Sequence, residues 1–209
     1  MNIVSNNCLG GYAFNILEMQ HQNPFAFCTI FDDDFIYIME HFNEINWSNI
    51  EILPVTREHL DSLRHQEAWH IISRFKDHKF SNSRRFFYVR VDDKVNIHMV
   101  HVYERDGIVG CKKYRTSVAT DDARTYIYNQ WMRRLERMTE KPTYVVFPDA
   151  VGGYSNMNRY VELKKRGVDF VLIGYSNKRY NDYLDITIDT HGVARAAQAF
   201  IDNITGTIE

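Results

Sequence analysis

The segment Ser5-Asn6-Asn7-Cys8-Leu9-Gly10-Gly11 places a thiol just before a pair of glycines. Ile3 and Val4 read as the end of a strand, whereas Leu9, Ala13, Ile16 and Leu17 recur at helical spacing, so Cys8 falls at a strand-to-helix junction. A thiol in the first turn of a helix meets the positive end of the dipole and unsatisfied backbone N–H groups, and both favour thiolate. The amides of Cys8 and Leu9, helped by the carboxamide of Asn6 or Asn7, then form a candidate oxyanion hole. Gly10 and Gly11 each cost a helix about 1 kcal/mol relative to alanine, which implies close approach of a ligand to the backbone. The competing reading makes Cys8 a small buried hydrophobe and the glycines a device for tight strand-helix packing. Cys28, inside an apolar run, and Cys111, after Gly110 in a loop, read as structural.

A nucleophilic thiol needs a base. His21 follows the first helix, His101 lies in the strand "VNIHMVHVY", and His191 lies in "IDTHGVARAAQAF". In that strand His98 and His101 point to opposite faces, and His98, alone among Asn96, Val100 and Val102, reads as a hydrogen-bonded structural residue. In a parallel α/β sheet the carboxyl ends of the strands gather on one edge, which brings Cys8, Asp32, Asp149, Asp189 and His191 together there. The expected catalytic set is Cys8 with His101 or His191 as base, oriented by Asp149 or Asp189. Alternatively, Asp189 and Thr190 cap the last helix.

Other groups point to other chemistry. Asp32, Asp33 and Asp34, just after a strand, could hold a divalent metal and a nucleotide-sugar diphosphate, or Asp32 or Asp33 could cap the following helix. Arg134 sits at the edge of the stripe Ile127, Trp131, Leu135 and Met138, where a charge needs either a salt-bridge partner or an anionic ligand. Gly152-Gly153 could cradle a phosphate, and Lys112, Lys113 and Arg115 could meet a phosphate or coenzyme A.

The elements that must position these groups alternate. Short β-branched and aromatic runs at Phe25 to Ile30, Ile50 to Leu53, Thr143 to Phe147, Phe170 to Ile173 and Leu184 to Ile188 are interleaved with helical patterns at Asp33 to Glu44, Asn156 to Arg166 and Val193 to Asn203. The spacing predicts a mostly parallel sheet flanked by helices. The stretch from about 84 to 104 reads as two strands around Asp92 and Asp93, hence an inserted antiparallel hairpin. The clearest helix follows Thr120, a candidate N-cap, with Asp121 and Asp122 in its first turn. No repeat or linker interrupts the 209 residues, so residues 1–209 read as a single α/β domain.

A net charge of -2 gives no electrostatic reason to bind nucleic acid or acidic lipid. Three widely spaced cysteines suit a reducing compartment, and the lack of a leader or an 18-residue apolar run predicts a cytoplasmic chain with no membrane span.

The Ser5 to Gly11 segment, together with the W-x-x-R-x-x-R of Trp131, Arg134 and Arg137, resembles an uncharacterised bacterial family associated with exopolysaccharide or capsular polysaccharide biosynthesis. The likeness extends to "IHMVHVY" and to the acidic helix start at Asp32 to Asp34. The resemblance implies a setting of sugar-polymer production, with a carbohydrate or acyl-carrier substrate. A more distant likeness is to capsule-locus acetyltransferases that bind coenzyme A, although this chain has "NNCLGG" where those carry Gly-Asn-Cys-Gln. The leading expectation is therefore a cysteine-dependent acyltransferase or hydrolase, with coenzyme A as candidate cofactor. Asn6, Asn7, Gly10, Gly11 and Arg134 are its expected substrate-binding residues. The alternatives are a metal-dependent glycosyltransferase and a noncatalytic glycan-binding protein.

Overall fold

The computed structural model describes residues 1–76, 85–105, 108–111, 116–119, 122–148, 157–175, 180–189 and 192–206. The chain opens with β1 (Ile3–Ser5), α1 (Leu9–Ile16), β2 (Thr29–Ile30) and α2 (Asp32–His41), the last extended by a 3-10 turn at Phe42–Glu44. A middle region follows with β3 (Ile50–Pro54), α3 (Arg57–Ser62), α4 (His65–Lys76), β4 (Arg85–Val91), β5 (Val95–Arg105), β6 (Ile108–Cys111) and β7 (Thr116–Ala119). The last part holds α5 (Ala123–Leu135), β8 (Thr143–Val146), α6 (Met157–Lys165), β9 (Val171–Tyr175), β10 (Ile186–Ile188) and α7 (Val193–Thr205).

Two sheets result. The first is parallel, four-stranded and ordered β1-β8-β9-β10. The second is antiparallel and six-stranded, running β3-β4-β5-β6-β7 with β2 also paired to β5. The expectation of a mostly parallel sheet with an inserted hairpin is corrected accordingly. The hairpin exists, and Asp92 and Asp93 turn it with φ of 53° and 54°, but it is the centre of its own sheet. A lone hairpin leaves rows of unpaired N–H and C=O groups on both outer edges, and β3, β2 and β6 saturate them.

Alternation along the strands sorts the core. Ile3, Val145, Phe147 and Ile173 face α1 and α7, packing on Leu9, Ala13, Phe14, Ala196, Ala197 and Phe200. Val4, Tyr144, Val146 and Leu172 face the other way, onto Phe35 and Ile38 of α2 and Met157 and Tyr160 of α6. The same cluster continues into Val89, Val91, Val95 and Ile97, so one core joins the two sheets. The far face of the antiparallel sheet lies under α3 and α4, where Phe31 and Ile71 pack with Leu60 and Leu63. Among the described residues no helix is long and apolar enough to cross a membrane.

Local starts differ from the sequence reading in three places. Asp122, two residues beyond Thr120, caps α5 by accepting the Arg124 N–H at 2.9 Å. Phe31, not Asp32 or Asp33, is the N-cap of α2, and all three aspartates occupy its first turn. Gly192, with φ of 136°, is the N-cap of α7, so Asp189 does not cap that helix. In addition Cys111 ends a strand rather than lying in a loop, and Phe25 to Cys28 turn instead of extending.

Candidate functional site

β1 sends α1 to one face of the parallel sheet, while its neighbour β8 is followed by α6 on the opposite face. The region outside the carboxyl ends of two strands at such a reversal is the usual ligand position in open α/β sheets. In this chain that position lies between Ser5 to Cys8 and the end of β8. The Asn6 carbonyl also accepts the Ile30 N–H at 3.0 Å, which delivers the start of α2 to the same edge.

Within this edge the Ser-Asn-Asn triplet is a clamp. Asn6 Oδ1 accepts the Phe147 N–H at 3.1 Å, and Asn7 Nδ2 donates to the Phe147 carbonyl at 2.9 Å. Asn7 Oδ1 accepts the Leu9 N–H at 2.9 Å, and Ser5 Oγ accepts the Gly10 N–H at 2.8 Å while donating to the Asn7 carbonyl at 2.7 Å. Two amides at the start of α1 are thereby satisfied from within the chain, including the Leu9 amide that the sequence assigns to an oxyanion hole. Asn6 and Asn7 hold the strand ends together rather than facing a ligand.

The glycines have a steric role. A Cβ on Gly11 would lie 2.5 Å from the Phe27 ring, and one on Gly10 would lie 3.1 Å from Ser5 Oγ and 3.2 Å from the Ile3 carbonyl. Phe27 itself has φ of 61°, an unusual conformation for a bulky side chain. The close approach inferred from Gly10 and Gly11 is therefore an approach of protein to protein.

Cys8 occupies the N-cap position of α1, is in no disulfide, and is 8% exposed beside Leu9, Ala13 and Phe14. Asp189 follows β10, at the far side of the sheet from β1, about 14 Å away for three strand spacings. It is exposed and lines an open groove of about 590 Å³ along α7 with Arg195 and Gln198. Asp149 and His191 lie outside the described residues, and of His101 only the backbone is described, within β5. Gly152, Gly153, Lys112, Lys113 and Arg115, read as phosphate or coenzyme A contacts, also lie outside them.

Arg134 stands at the opposite edge. It is near the end of α5, which leads into the amino end of β8, whereas Cys8 is at the carboxyl end of β1. Arg134 is half-buried beside His21, and Arg137 donates to the His21 carbonyl at 3.2 Å. Burial, then the charges of Arg134 and Arg137, push the His21 pKa down to about 4. His21 is thus neutral near pH 7 and packed against Phe27 and Phe14.

Two polar clusters lie apart from Cys8, the first being the acidic run read as a possible metal site. In the first, the three aspartates of α2 turn to three different partners. Asp32 accepts the Tyr160 hydroxyl, Asp33 pairs with Arg159 at 2.5 Å and Arg64 at 3.4 Å, and Asp34 accepts the Asn96 N–H at 3.0 Å. Among the described residues no three His, Cys, Asp or Glu side chains converge as metal ligands. Burial raises the Asp34 pKa to about 7; the Asn96 hydrogen bond opposes this, and Glu67 and Asp33 add to it. In the second cluster His98 is 1% exposed, and its Nε2 lies 3.0 Å from Nε2 of His59, whose ring stacks on Tyr88 at 3.9 Å. This agrees with the structural reading of His98; His59, with no periodic signal of its own, was invisible. No protein-family model, curated protein or solved structure matches this chain.

Proposed function

We propose that this chain is an enzyme of surface polysaccharide biosynthesis that works at the carboxyl edge of the parallel sheet, with Cys8 as nucleophile for acyl transfer or hydrolysis. The observation that carries the reading is the position of Cys8. It stands at the N-cap of α1, beside the point where β1 and β8 send their helices to opposite faces. In that reaction the Cys8 sulfur attacks an acyl carbonyl carbon, a C–S bond forms, and the donor leaves with a proton. A sugar hydroxyl or water, deprotonated by a base, then attacks the thioester and releases the thiolate. His101 or His191 is the base of this scheme, with Asp149 to orient it; Asp189, three strands away from β1, is left out of it. The Asn6-Asn7 clamp holds the nucleophile's loop against the end of β8.

The test is alkylation with iodoacetamide at neutral pH followed by peptide mapping. Cys8 should be labelled ahead of Cys28 and Cys111 and faster than an ordinary thiol. Slower labelling, or preference for another cysteine, overturns the reading. The low exposure of Cys8, packed among Leu9, Ala13 and Phe14, favours the second reading, a noncatalytic glycan-binding protein in which the thiol is core.

A further inference from the structure

At the amino edge of the parallel sheet, away from Cys8, lies a cleft of about 680 Å³. Its walls are the end of α2 with its 3-10 turn, the approach to β8 from Lys141 to Tyr144, and the turn from Arg166 to Asp169 that leads into β9. This volume is in the range of small-molecule sites. Tyr144 forms part of the floor and is 5% exposed. Its ring is held edge-on by Phe35 at 6.3 Å and Phe42 at 6.2 Å. No described residue hydrogen-bonds its hydroxyl. Its hydroxyl is not walled off from solvent, so it faces the cleft, where water or the hydroxyl of a ligand completes it. Burial raises its pKa, so the group stays protonated and can both donate and accept.

The charges around the rim define what would fit. Arg166 pairs with Glu40 at 2.6 Å, and His41 with Glu44 at 3.1 Å. Lys141 and Asp169 remain as one cation and one anion outside any ion pair with described residues. The acidic side chains Glu40, Glu44 and Asp169 outnumber the basic Lys141 and Arg166, so the cleft has no positive excess to select a phosphate or a carboxylate. What it presents is a mixture: a phenol, an ammonium, a carboxylate and the Asn43 carboxamide, above aromatic carbon. Such a mixture complements closely spaced hydroxyls, each of which donates and accepts at once.

We infer that this cleft binds a neutral sugar residue or a short neutral oligosaccharide, with the Tyr144 hydroxyl and the Asp169 carboxylate engaging its hydroxyl groups. The inference goes beyond the chemistry proposed for Cys8 and does not need it, because the two sites occupy opposite edges of the sheet.

The experiment is saturation-transfer NMR and fluorescence titration of the full chain with D-glucose, D-galactose, N-acetyl-D-glucosamine and maltotriose, beside D-glucuronate and glucose 6-phosphate. Trp47 packs on Phe42 at 5.0 Å and donates to its carbonyl, so occupancy of the cleft should change tryptophan emission. At least one neutral sugar should bind with a millimolar Kd. Tyr144→Phe, which keeps the ring, and Asp169→Ala, on an exposed turn, should each weaken it by about fivefold or more. Cys8→Ala should leave it unchanged, whatever its effect on catalysis. Absence of neutral-sugar binding, affinity unaltered in both cleft variants, or preference for the two anionic sugars would overturn the inference.

Discussion

Asn7 and Phe147, separated by 140 residues, are joined by a 2.9 Å hydrogen bond from the Asn7 carboxamide nitrogen to the Phe147 carbonyl. The oxygen of the same carboxamide accepts the Leu9 N–H that opens α1. One side chain therefore satisfies the first amide of α1 and ties the ends of two neighbouring parallel strands. Both bonds are buried, so neither partner has water as a substitute.

Asn7→Ala should consequently destabilise the fold by about 2–4 kcal/mol, the sum of a buried amide left without its acceptor and a buried carbonyl left without its donor. Urea denaturation with an unchanged slope and a lower midpoint checks this. A loss below about 0.5 kcal/mol would show that the clamp is incidental.

Gly11→Ala should cost about 1–3 kcal/mol, because the new methyl would meet the Phe27 ring 2.5 Å away and neither helix nor ring can move freely in the core. In a Phe27→Gly background, where the ring is gone and the backbone with φ of 61° is relaxed, the same substitution should become nearly neutral. Additive costs across this cycle would remove the steric explanation.

Asp34 makes stability depend on pH in a definite direction. Its pKa rises from 3.8 unfolded to about 7 folded, so between those values the folded state holds a proton that the unfolded state has lost. Stability from this group is full below pH 3.8 and declines as pH rises to about 7. Asp34→Asn, which keeps the acceptor for the Asn96 N–H, should stabilise the chain at pH 8 by on the order of 2 kcal/mol and leave pH 4 little changed. Equal gains at both pH values would contradict the assignment.

His21 acts in the opposite sense. With a folded pKa near 4 against 6.5 unfolded, its contribution is present above pH 6.5 and is lost as pH falls toward 4. Arg134→Gln removes one of the charges that depress it, so the His21 imidazole should titrate at higher pH in NMR spectra. An unmoved midpoint would place Arg134 too far away to matter.

Much of the local order was legible in the sequence. The turn at Asp92 and Asp93, the helix after Cys8, the stripe of α5 and the helical runs before β9 and after β10 follow from periodicity and turn chemistry. These depend on backbone preferences and on neighbours a few residues away. The extent of the antiparallel sheet was not legible, because β2, β3, β6 and β7 join it through pairings that periodicity does not specify.

Side-chain partners divide along the same line. Sequence alone marked Asn6, Asn7, Cys8, Gly10, Gly11 and the three aspartates of α2 as residues in need of a reason. Only the tertiary structure decided which reason, by bringing Phe147 to the asparagines, Phe27 to Gly11 and Tyr160 to Asp32. The physical cause is that a polar group or an empty methyl-sized space carries no local signature of what will fill it. The partner arrives from more than a hundred residues away for Asn7 and Asp32, and its arrival is set by how the sheets and helices pack.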